Sequence, residues 1–149
     1  MNLKKVLRPE TVHLGLSGTS KDAIIEEMVD IMSDAFPQMD KEAVLSAVLA
    51  REAQMSTGMK NGIAIPHGKT DAVKQLYAAI GISREGVDFE CLDNKPARIF
   101  VMTASPASRT GPHLQFLAEV SRLLSRSELR TRILEAESSR ELLNIFLEG

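Results

Sequence analysis

The sequence contains no tryptophan, a single tyrosine and one cysteine among its 149 residues. The lone Cys91 excludes an internal disulfide and a metal–cysteine cluster within one chain. Aromatics make up only 4% of the residues, so a core must be packed from Leu, Ile, Val, Ala and Met. Neither sign of charge dominates: 18 Lys and Arg stand against 20 Asp and Glu, a formal net charge of −2. Without a basic face or stripe there is no electrostatic case for nucleic acid as a partner. Long hydrophobic runs are missing as well. A stretch such as IFVM at 99–102 is far shorter than the roughly 20 apolar residues that cross a bilayer. The opening MNLKKVL has lysines but no apolar segment behind them, so it does not read as a secretory signal. These absences predict one cytoplasmic domain over residues 1–149, not embedded in a membrane.

What is present is a pattern of helices at both ends of a strand-rich middle. After an extended piece at Val12–Leu16, Ser20 is placed to cap a helix carrying Ile24, Met28, Ile31 and Ala35 at helical spacing until Pro37. Asp40 caps a second helix, with Val44, Leu45, Val48 and Leu49 inward and Arg51 and Glu52 at its end. The run QMSTGMKNG at 54–62 is a loop by its turn residues. Ile63–Ile65, Tyr77–Ile82 and Arg98–Ala104 read as short buried strands, and GVDF at 86–89 as a further edge strand. Helical patterns return at 110–126, 127–135 and 138–147. The predicted fold class is α/β, a mixed β-sheet sandwiched by helices in a single domain. Strand order does not follow from the pattern.

The candidate chemistry lies in the histidines. In NGIAIPHGKT at 61–70, His67 stands between Pro66, which fixes φ and lacks an N–H, and Gly68, which lacks a Cβ. Upstream, Ser56, Thr57, Gly58, Asn61 and Gly62 form a loop able to offer neutral donors to an oxyanion. The side chain is then held at a strand end; a turn histidine in solvent is the competing reading. Gln115, Glu119, Arg122 and Arg126 form a polar stripe at helical spacing, and His113 falls about 200° from Gln115, at about 100° per residue. It therefore faces inward with Leu117, Val120 and Leu124, in the first turn, where the helix dipole disfavours an imidazolium. There the alternative is a core histidine bonded to a carbonyl. His13 and Cys91 lack a donor cluster or base beside them and read as structural.

Zinc chemistry needs three or four ligands, often from a paired motif on one element, and none is present. A nucleophile elbow of the GxSxG type is absent too. No metal and no cofactor is expected. Nucleophilic use of His67 remains, since neutral imidazole attacks phosphorus near neutral pH and passes the group on. Arg51 is the planar cation available for phosphoryl oxygens, unless it is simply a solvated residue at a helix end.

The runs REAQMSTGMKNGIAIPHGKT, GVDFECLDNKPARIFVMTASP and GPHLQFLAEVSRLL together resemble the fructose/mannitol-type (type 2) enzyme IIA domain of the bacterial phosphoenolpyruvate-dependent sugar phosphotransferase system. The nitrogen-regulatory enzyme IIA branch shares this resemblance, which covers nearly the whole chain. It implies that His67 accepts a phosphoryl group from the phosphocarrier HPr, and that His113 orients or stabilises the phosphorylated ring. Arg51, Thr57 and Gly58 match the arginine and loop beside the phosphoryl site. The group then passes to a cysteine on a IIB partner, so Cys91 has no part. In the regulatory branch, phosphorylation instead controls binding to protein targets. Two departures stand in the loop: family members commonly read GSTGIGNG, whereas Met55 and Lys60 replace glycines here. Lys60 is strained if that position needs φ > 0; otherwise its charge lies near the phosphoryl group or on a docking surface.

Overall fold

In a computed structural model, residues 3–149 are described. Two short 3-10 turns, Leu3–Lys5 and Pro9–Thr11, lead into β1 (Val12–Leu14). Then follow α1 (Lys21–Ala35), α2 (Lys41–Gln54), β2 (Ile63–Ala64), β3 (His67–Lys69), β4 (Tyr77–Val87) and β5 (Ala97–Ser105). The chain closes with α3 (Gly111–Leu124), α4 (Ser127–Glu135) and α5 (Ser139–Glu148).

The first two helices begin where capping side chains stand. Ser20 Oγ accepts from the Ala23 N–H at 3.2 Å, and Asp40 Oδ1 from the Ala43 N–H at 3.1 Å. The buried face of α1 is centred on Ile24, Ile25, Met28, Val29 and Met32. Ile31 and Ala35, expected on that face, lie at its half-buried margin.

The strands form one mixed sheet ordered β1-β4-β5-β2, with β3 also beside β5. Only β4–β5 is antiparallel; β1 joins β4, and β2 and β3 join β5, in parallel. Ile63 faces Ile99, Ala64 faces Phe100 and His67 faces Thr103 in one unbroken register. β2 and β3 are thus a single edge strand interrupted where Pro66 has no N–H for the ladder.

Side-chain alternation divides β4 and β5 between two cores. Tyr77, Ala79, Phe100, Met102 and Ala104 pack under α1 and α2. Ala78, Ile80, Ile82, Ile99 and Val101 pack under α3, α4 and α5. The helices sandwich the sheet in the predicted way. GVDF is not a separate strand: β4 runs on past a register irregularity to Val87, and Asp88 and Phe89 lie beyond it. Among the described residues no helix is long and apolar enough to cross a membrane.

Candidate functional site

His67 opens β3 rather than sitting in a turn. Its strand position explains Gly68 differently from the sequence reading. A Cβ on Gly68 would lie 2.8 Å from Val48 N and 2.9 Å from Ala47 C, both backbone atoms of α2. Glycine is required there for close approach of strand to helix, which draws His67 toward the C-terminal half of α2. The half-buried ring lines a groove of about 310 Å³ with Arg51, Gln54 and Lys69.

His67 Nδ1 lies 2.9 Å from the Ile65 carbonyl oxygen. A carbonyl only accepts, so in the neutral ring Nδ1 carries the proton and the lone pair sits on Nε2. Burial holds the His67 pKa below the ordinary histidine value. The bond to Ile65 opposes that shift, the Arg51 and Lys69 cations reinforce it, and Glu52 opposes it weakly.

His113 enters from the first turn of α3, 3% exposed, with its Nδ1 2.9 Å from Thr103 Oγ1. Its partner is a hydroxyl rather than the backbone carbonyl expected of a core histidine. Its ring centroid is 5.1 Å from that of His67. Burial first, then the neighbouring His67 and Lys69, bring its pKa down to about 4. Thr103 is the β5 residue directly across from His67. One strand position therefore holds both rings.

Arg51 lies in the last turn of α2 and donates from a guanidinium nitrogen to the Met55 carbonyl at 2.8 Å. It closes its own helix end while facing the His67 groove. Thr57 and Gly58 are turned elsewhere. Thr57 is buried, with its N–H and hydroxyl both given to Glu52, at 2.6 and 2.5 Å. A Cβ on Gly58 would lie 2.6 Å from the Phe89 carbonyl oxygen and 2.8 Å from Cys91 Sγ. The chain passes tightly there against the 89–91 segment. Cys91 itself is buried, and burial pushes its thiol pKa up, away from nucleophilic use.

The two loop departures have separate outcomes. Met55 is in extended backbone, φ −165°, which any residue adopts. Lys60 is free of the strain considered for it: the left-handed residues of this loop are Asn61 (φ 64°) and Gly62 (φ 76°). Its side chain lines a different groove, with Met59 and Leu92, so its charge is not the one beside the histidines.

That charge belongs to Lys69, which sequence reasoning missed. Two residues after His67 on a strand, it shares the side of the ring. Reading HGK as strand rather than turn would have found it. Glu52 and Thr103 were missed as well, because their partners come from loop closure and strand pairing.

The sequence profile described as phosphoenolpyruvate-dependent sugar phosphotransferase system, EIIA 2, matches residues 5–149. The chain belongs to that family. Among relatives of this EIIA chain, the fructose-specific EIIABC component of Bacillus subtilis is 39% identical over 145 residues. That match spans 97% of this chain but only 23% of the Bacillus protein. The fructose-specific EIIA component of Haloferax volcanii is 39% identical over 139 residues, 93% of this chain and 90% of that one. Among solved structures, nitrogen regulatory protein IIA-Ntr from Neisseria meningitidis superposes with a TM-score of 0.88 at 28% identity. The superposition covers 97% of this EIIA chain and 98% of the Neisseria protein.

Proposed function

We propose that the protein is a phosphohistidine carrier in the cytoplasm: His67 takes a phosphoryl group from an HPr-type donor and gives it to the cysteine of a IIB partner. The observation that carries this reading is the state of the His67 ring. Its proton is held on Nδ1 by Ile65, its pKa is lowered, and its Nε2 lone pair is available beside Arg51 and Lys69. In the first step Nε2 forms a bond to phosphorus as the donor's bond to phosphorus breaks. Such transfer depends on positioning and on neutralising the oxygens. Arg51 and Lys69 supply positive charge. His113 shares a hydrogen bond with the Thr103 hydroxyl at its Nδ1; in the tautomer that takes the hydroxyl proton there, its own proton is on Nε2 to give to a phosphoryl oxygen. In the second step a thiolate of the IIB partner displaces His67 from phosphorus. The Bacillus relative, whose name joins A, B and C parts in one chain, favours a IIB acceptor.

A second reading is regulatory: the phosphorylation state of His67 controls binding to protein targets. The close superposition on a nitrogen regulatory protein along nearly the whole chain favours it. Both readings require the same labelling. Incubation with phosphoenolpyruvate, enzyme I and HPr places acid-labile phosphate on the protein, and absence of label sinks both. A chase against candidate IIB domains then separates them: efficient transfer to one supports transport, and retention of the label by all supports regulation.

A further inference from the structure

Glu52 is a buried acid for which phosphoryl relay has no direct use. It follows Arg51 on α2 and is 7% exposed. Both carboxylate oxygens accept from Thr57, one from its N–H at 2.6 Å and one from its hydroxyl at 2.5 Å. Lys21 Nζ, 3.7 Å from Oε2, supplies the counter-charge. A carboxylate is kept in such a place only with partners of this kind, and charge-assisted bonds are stiffer than those between neutral groups.

The bonding does not stop at Thr57. Its carbonyl accepts from the Ile65 N–H at 3.1 Å. The Ile65 carbonyl, in turn, holds His67 Nδ1 at 2.9 Å. On the far side of that carbonyl, Pro66 has a fixed φ, and its own oxygen accepts from the Thr103 N–H at 3.3 Å. The carbonyl that sets the His67 tautomer is therefore clamped from β5 on one side and from Glu52 on the other. Residues 63–64 also pair with β5, and Ser56 Oγ donates to the Phe89 carbonyl at 2.6 Å; toward α2, the bonds to Glu52 are joined by that of Arg51 to the Met55 carbonyl.

We propose that Glu52 is a positioning residue for His67: acting through Thr57 and Ile65, it holds the carbonyl that keeps the ring proton on Nδ1 and the lone pair on Nε2. This rests on His67 being the phosphoryl acceptor. Glu52 touches neither the ring nor the phosphoryl group.

The test uses the whole chain with nitrogen-15 histidine, as wild type, Glu52→Gln, Thr57→Val and Thr57→Ser. Long-range proton–nitrogen spectra at mildly alkaline pH report the tautomer of each ring directly. The wild-type His67 is expected in the Nδ1–H form. In Glu52→Gln and Thr57→Val the ratio of Nδ1–H to Nε2–H falls, by at most about fivefold, the factor for losing the Ile65 bond outright. Thr57→Ser keeps the hydroxyl and restores the wild-type ratio. A similar fall is expected in kcat for phosphoryl uptake, with KM for HPr unchanged. Folded variants in which His67 stays in the wild-type tautomer ratio overturn the proposal. If Glu52→Gln does not fold, the Thr57 pair answers alone, because the backbone bond to Glu52 remains. Wild-type protein that takes no label, but whose variants shift tautomer, refutes the relay and supports the Glu52 link. Labelling with unmoved tautomers refutes the link alone.

Discussion

The His67 and His113 rings lie 5.1 Å apart, centroid to centroid, and are tilted by 37° to one another. One comes from a strand edge and the other from a helix start, joined through the register of His67 with Thr103. At this separation two imidazolium charges repel, which is one reason the deeper ring resists protonation. The pair is therefore unequal. His67 is half-buried beside Arg51 and Lys69, whereas His113 is enclosed and resists protonation more strongly.

That inequality predicts different phenotypes. His67→Ala should take no phosphoryl label from HPr. His113→Ala should still be labelled, on the order of 10²-fold more slowly, the scale for removing one donor to a developing oxyanion. Stopped-time labelling with excess phosphorylated HPr measures both. Wild-type rates in His113→Ala would leave that ring a packing residue only.

Single-turnover uptake from pre-phosphorylated HPr should be flat through neutral pH and fall in acid, as the His67 lone pair is lost to protonation. Because burial, Arg51 and Lys69 lower its pKa, the midpoint should lie below the ordinary histidine value of about 6.5. Lys69→Met removes one of those charges, so the midpoint should move upward. A midpoint that stays put would mean that Lys69 is screened from the ring by solvent.

Stability carries the same signature with a defined sign. His113 has a pKa of about 4 in the folded chain, against about 6.5 unfolded. At neutral pH neither state binds the proton. As pH falls through about 6.5, the unfolded state gains a proton that the folded state refuses, and stability drops until about pH 4. The loss from this ring is about 2 kcal/mol by about pH 5. Urea unfolding of wild type and His113→Gln at neutral pH and at about pH 5 checks it. The variant should lose less by that amount, and equal losses would refute the burial argument.

Gly68→Ala should cost about 1–3 kcal/mol, the range for overpacking a filled interior. The new methyl meets backbone atoms of Ala47 and Val48 that have no rotamer to escape into. Gly111→Ala is the control, since a Cβ there meets nothing within 4 Å. Thermal unfolding of the two separates close packing from a general intolerance of alanine at glycine positions.

The helices were legible because their signals are local. Ser20, Asp40 and Pro37 mark boundaries within a few residues, and the polar stripe on α3 turns His113 inward. The sheet was legible in content but not in order, since β1-β4-β5-β2 is decided by pairing between distant segments. At the site, the proline and glycine around His67 left a strand end and a turn equally open. Their actual reasons are a gap in the ladder and contact with α2, and both depend on tertiary neighbours. Lys69 was lost with the strand. Glu52 looked like an ordinary helix-end acid because its partner, Thr57, reaches it only when the loop folds back.

The loop gives a final, local test. Family resemblance drew attention to Lys60 as the glycine replacement that left-handed backbone would strain. The strain belongs one residue later, at Asn61, whose φ is 64° and which precedes Gly62 at 76°. Asparagine tolerates that region better than other non-glycine residues, and alanine there should cost roughly 1 kcal/mol. Lys60→Gly, by contrast, should give no gain in stability and a small loss, because it only adds freedom to the unfolded chain. Denaturant midpoints of Asn61→Ala, Asn61→Gly and Lys60→Gly decide the matter. Stabilisation by Lys60→Gly would return the left-handed position to Lys60, whereas tolerance of glycine and intolerance of alanine at Asn61 place it where the backbone has it.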